Sequence, residues 1–248
     1  MRNFKSSLLA LALSAAAAAS PAATVTVTFD DPIFTGSGYD AVHVKFPNAI
    51  GSGSTTDYLA AGRFQGTATN VVGVDPSIFV DGVNDLFMYC YDLYEGINSG
   101  QVVNYTIDLD GAKARTLDFL GAVNAVLNGG ASDSPYAWLH PLTASQGAAI
   151  QLGIWESLYD TSAWSLTGGS FKAWDLDSAT SDAWTRFSNA IGTSDSLDIR
   201  YTMVLKAPGA QDMIAGDPPA NVPEPGSLAL VGLALAGLAA SRKLRRRS

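Results

Sequence analysis

"TASQGAAIQLGIWESLY", residues Thr143–Tyr159, is the stretch on which the fold class turns. Thr143 with Gln146 three residues on forms a capping box, in which hydroxyl and amide satisfy free N–H groups at a helix start. Apolar residues then recur at helical spacing, so the stretch predicts a helix. Two more segments read the same way. "TLDFLGAVNAVLN", 116–128, has the helical period and is followed by Gly129, where a C′ residue belongs. Thr180 to Ile191 is a weaker third.

Working outward, the flanks are of the other kind. "TVTVTFD" (24–30), "AVHVKF" (41–46), "FQGTATNVVGV" (64–74), "DLFMYCYDLY" (85–94), "VVNYTIDL" (102–109) and "DIRYTMVLKA" (198–207) are rich in β-branched and aromatic residues. Gly, Asp, Asn and Ser separate them, as turn residues separate strands. "GSGSTT" (51–56) reads as a loop, since no G-x-G-x-x-G or Walker pattern follows it. Strands, then helices, then strands predict an α+β domain: a β-sandwich or barrel-like body with two or three inserted helices.

The chain ends are not part of that domain. Arg2 and Lys5 precede an apolar stretch from Leu8 to Ala19 and then small residues, the pattern of a secretory signal peptide over residues 1–22. At the other end, Leu228 to Ala240 carries no charge, and Arg242, Lys243, Arg245, Arg246 and Arg247 follow. This predicts a single C-terminal transmembrane helix with its basic tail on the cytoplasmic side, so the body lies outside. The predicted organisation is a domain over 24–211, a Pro-rich linker over 212–221 and a tail over 222–248.

Val222-Pro223-Glu224-Pro225, the short apolar helix and the arginine-rich end resemble the PEP-CTERM sorting signal of Gram-negative bacteria. The resemblance implies a partner of the exosortase type, a membrane protease-transpeptidase that removes the tail. It also implies anchoring in the inner membrane before processing, then delivery to the cell surface or extracellular matrix.

Charge and residue inventory exclude several classes. Only eight of the fifteen Lys and Arg lie between Thr24 and Val222, against nearly all the Asp and Glu. Such a field repels nucleic acid, and no basic stripe tracks a phosphate backbone. "DLDGAK" (108–113) is a fragment of a calcium loop and no more. His43 and His140 sit in no zinc motif, there is no G-x-S-x-G elbow, and neither cysteine-protease signature surrounds Cys90. No metal, no cofactor and no enzyme activity are expected. All five tryptophans lie between 138 and 184, and Trp164, Trp174 and Trp184 each follow an alanine ten residues apart. They are either core anchors or a surface on which sugar rings stack, the latter making a carbohydrate-binding or carbohydrate-active extracellular protein the alternative function.

Cys90, in "FMYCYDLYEG" (87–96), is the only cysteine. Gln151 shares the apolar face of the 143–159 helix with Gly147, Ile154, Trp155 and Leu158, where a carboxamide must find hydrogen bonds. Tyr89-Cys90 on a strand, followed by Gln151-Leu152-Gly153-Ile154-Trp155 on a helix, resembles the thioester domains of bacterial surface adhesins over about residues 80–205. Gly153 stands where that family has alanine, and the two motifs lie closer together than in the Gram-positive examples. The resemblance implies an internal thioester between Cys90 and Gln151, open to attack by a surface amine, and hence a covalent adhesin. The competing reading is a buried, inert thiol and an amide bonded to a neighbouring strand's backbone.

Overall fold

The structure is a computed structural model that describes residues 22–34, 38–129, 134–161 and 163–216. Nine strands and three α-helices make up the described part: β1 Thr24–Phe29, β2 Tyr39–Pro47, β3 Ser54–Gly62, β4 Phe64–Val72, β5 Leu86–Cys90, β6 Val102–Asp108, α1 Ala114–Leu127, α2 Ala144–Tyr159, β7 Lys172–Trp174, α3 Ser178–Ala190, β8 Thr202–Lys206 and β9 Met213–Gly216. This is the expected α+β architecture, and of the two β arrangements it is the barrel.

Six strands close on themselves in the order β1-β4-β5-β9-β8-β6, antiparallel at every seam. Closure removes the unpaired edges that an open sheet would expose. Alternation sorts the side chains: Val25, Val27 and Phe29 of β1 point inward, as do Val103, Tyr105 and Ile107 of β6.

The remaining strands form a three-stranded sheet, β3-β2-β7. Its inner face carries Val42, Val44, Phe46 and Ala173, all buried. Helix α2 lies between this sheet, strand β5 of the barrel and the other two helices. Every residue from Gly147 to Ser157 is therefore buried, and the helix is surrounded rather than amphipathic. Thr143 caps it as expected, its hydroxyl accepting the Gln146 N–H at 3.2 Å, while the Gln146 side chain accepts from Leu142 N–H at 2.7 Å. Gly129, past the end of α1, has φ +59°, the left-handed conformation expected of a C′ residue.

Three strands depart from the sequence reading. β3 begins at Ser54, inside the segment read as a loop, and its first five residues are all exposed, so no hydrophobic alternation marks it. β7 has three residues, too few to show a period. β9 corrects a boundary: Met213–Gly216 lies inside the span assigned to the linker, yet it is wholly buried and closes the barrel between β5 and β8. The domain thus extends to Gly216. Four apolar or small residues ahead of a Pro-rich run carry too little pattern to be read as a strand. No helix among the described residues is long and apolar enough to cross a membrane. The predicted signal peptide, the 222–225 motif, the membrane helix and the basic tail lie outside the described residues.

Candidate functional site: the Cys90–Gln151 junction

Cys90 is the last residue of β5, and Gln151 sits near the middle of α2. Both are buried, at 1% and 0% exposure. The carboxamide lies against the cysteine's backbone: Gln151 Oε1 accepts the Cys90 N–H at 2.8 Å, and Gln151 Nε2 donates to the Cys90 carbonyl at 2.9 Å. The register explains why. β4 begins at Phe64, opposite Met88, so the strand that would continue the ladder beside Cys90 has already turned away into β3. On its other side Cys90 pairs with Met213 of β9. Gln151 supplies what the missing strand would, and its own polar atoms are satisfied in return.

The glycine at 153 also has a local cause. A Cβ there would stand 1.9 Å from the Phe119 ring of α1. The departure from alanine reflects how tightly α1 and α2 approach, two residues from the carboxamide.

The electrostatics around the thiol are those of a closed site. Burial, and next the Asp92 carboxylate, push the Cys90 thiol well above its ordinary range, so it is protonated at neutral pH. Asp92 is 9% exposed and is itself pushed up to about 6, chiefly by burial. It accepts N–H bonds from Tyr94, Glu95 and Asp212 and so fixes the loop that leaves β5. Behind it, Tyr91 Oη meets Thr116 Oγ1 at 3.2 Å, which meets Ser157 Oγ at 2.7 Å, tying the residue just after β5 to both α1 and α2.

The site nevertheless opens to the surface. A cleft of about 370 Å³ is lined by Cys90 and Trp155 at its inner end and by Phe34, Asp57, Tyr94 and Glu95 nearer its mouth. Trp155 is one turn beyond Gln151, 1% exposed, and its indole N–H has no hydrogen-bond partner among the described residues. The sequence placed Trp155 on the same face as Gln151. The acidic mouth is not legible in the sequence, because Asp57 lies in the exposed first half of β3, which shows no hydrophobic alternation.

The three spaced tryptophans do not form one surface. Trp184 is 9% exposed and packs on Phe119; Trp164 is half-buried, stacked on Phe119 with the Arg115 guanidinium 3.7 Å from its ring centroid. Both pack against the core, as the first of the two readings expects. Trp174 alone is exposed, at 38%. His43 and His140 are each paired with a carboxylate, Asp175 at 2.9 Å and Asp81 at 3.1 Å.

Residues 221–246 match the PEP-CTERM protein-sorting motif. No curated protein and no solved structure matches the chain. The chain is an exported protein directed to the cell envelope and carrying a sorting signal, of the kind that exosortase-type enzymes process.

Proposed function

We propose that this exported chain is a cell-surface or extracellular-matrix protein whose α+β domain attaches covalently to an amine-bearing partner through a Cys90–Gln151 thioester. The observation that carries the reading is the carboxamide of Gln151 held on the backbone of Cys90, a residue that itself lines a cleft reaching the surface. In the bond-forming step Cys90 Sγ attacks Gln151 Cδ, the C–N bond breaks, and the thiol proton leaves with the amide nitrogen as ammonia. Thiol and carboxamide are neutral, and so is the thioester. Burial that disfavours a thiolate therefore does not disfavour the product, and it keeps water from hydrolysing the acyl group. A primary amine entering the cleft then attacks Cδ, forms a stable amide with residue 151 and returns the Cys90 thiol. Each domain acts once, so this is capture rather than turnover.

Intact mass of the purified protein tests the reading. A formed thioester makes the chain lighter by one ammonia, blocks alkylation of Cys90 and yields an adduct with methylamine. A full-mass chain with a freely alkylated Cys90 sinks it and leaves the inert thiol. Carbohydrate binding remains the second reading, narrowed to the surroundings of Trp174.

A further inference from the structure

The outer face of the β3-β2-β7 sheet carries a feature that the junction at Cys90 does not use. The register sets Tyr58 opposite His43 and His43 opposite Trp174, so three rings stand in one row across all three strands. His43 lies 4.6 Å from Tyr58 between ring centroids and 5.4 Å from Trp174, nearly parallel to it at 9°. Tyr58 is 59% exposed, Trp174 38%, and the His43 side chain 38%. Both outer rings belong to the edge strands, and among the described residues no strand pairs beyond either of them. Solvent-exposed aromatic clusters of this kind mark binding surfaces.

The neighbouring row has the opposite character. Lys45 and Lys172 are direct cross-strand partners, and neither is ion-paired among the described residues. Like charges opposite one another destabilise a sheet. They stand on a body that has 22 Asp and Glu against eight Lys and Arg between Thr24 and Val222, with carboxylates in plenty to pair with. Both line a shallow depression of about 300 Å³ beside the aromatic row. On the far side of the row, Asp175 adopts a left-handed backbone conformation (φ +61°) and brings its carboxylate to His43.

We propose that this face binds a uronate-bearing saccharide. The apolar face of a pyranose stacks on the exposed ring of Trp174, the sugar carboxylate sits between Lys45 and Lys172, and Asp175 accepts from hydroxyls on the other side. The chemistry favours a sugar over a nucleic acid: the body's net negative charge opposes a dense polyphosphate, whereas one local lysine pair suffices for a sparsely charged chain. The assignment is independent of the state of Cys90.

The test is calorimetric titration of the full-length chain in detergent with oligogalacturonate, oligomannuronate and hyaluronan oligosaccharides, and with the methyl ester of whichever binds. At least one acidic oligosaccharide should bind, and its methyl ester should bind about tenfold more weakly. Trp174→Ala should weaken both ligands about tenfold or more, as loss of an exposed aromatic anchor does. The double variant Lys45→Gln/Lys172→Gln should weaken the acid and leave the ester unchanged. These side chains are at the surface, and an unchanged melting temperature confirms that the variants are folded. Absence of binding by all three oligosaccharides, equal binding by wild type and variants, or binding of a single-stranded oligonucleotide in their place would overturn the proposal.

Discussion

The carboxamide of Gln151 takes the place of a strand: it pairs with both backbone polar groups of Cys90 where β4 no longer reaches. That structural role can be separated by mutation from the proposed chemistry of the thiol.

Gln151→Ala leaves the Cys90 N–H and C=O buried without partners. Unsatisfied buried groups cost about 1–3 kcal/mol each, so the melting temperature should fall by roughly 5–15 °C for a domain of this size. Cys90→Ala retains the same backbone pairing and should shift melting by only a few degrees, while abolishing any methylamine adduct. Thermal unfolding followed by circular dichroism, with intact mass alongside, distinguishes the two. Comparable melting temperatures for the two variants would show that the pairing contributes nothing.

Gly153→Ala should be among the most damaging small substitutions in the chain. The added methyl would meet the Phe119 ring at 1.9 Å, so α1 and α2 must separate. Overpacking of this kind costs about 1–3 kcal/mol. The double variant Gly153→Ala/Phe119→Leu should recover part of the loss, which denaturant midpoints would reveal.

Stability should decline as pH rises. Glu156 is wholly buried, and its carboxyl is pushed up to about 7, by burial first; Asp92 is pushed up to about 6 for the same reason. Both bind their protons more tightly folded than unfolded. Their contribution is complete below the ordinary carboxylate range and is lost as pH climbs through about 6 to 7. Melting temperatures between pH 4 and 8 should fall through that window, and Glu156→Gln should flatten the upper part of the decline. A rise across the same window would contradict the assignment.

A chain ending at Gln211 should not fold cooperatively, whereas one ending at Gly216 should. Without Met213–Gly216 the barrel loses the strand between β5 and β8, and Cys90 loses its partner Met213. Sharp amide proton dispersion in the longer fragment and its loss in the shorter one would confirm where the domain ends.

What could be read in advance followed local chemistry. The cap at Thr143, the C′ glycine at 129 and the alternation in β1 are written within a few residues, and each stands in the fold. A polar residue on the apolar face of α2 marked Gln151 as needing partners, and the structure gives it the backbone N–H and C=O of Cys90, as the reading of an amide bonded to a neighbouring strand expects. What stayed hidden depends on register. β3 is recognisable only through its ladder with β2, and the Tyr58–His43–Trp174 row exists only because three distant segments align. Spacing of ten residues linked Trp164, Trp174 and Trp184 in sequence, yet helix, strand and loop turn them to different surroundings.

The position of β9 has a mechanical consequence. It is the last described strand before the sorting motif at 221–246, and it pairs directly with the strand that bears Cys90, through Met213 and Ala215. Tension applied from the C-terminal side enters the barrel at Gly216. If the opposing grip is the amide at Gln151 on α2, the load crosses the β9–β5 seam and then passes from Cys90 to the helix. Anchorage and grip would lie on either side of β5, so resistance to pulling would depend on that short ladder and on the Gln151–Cys90 bonds more than on the stability of the whole domain.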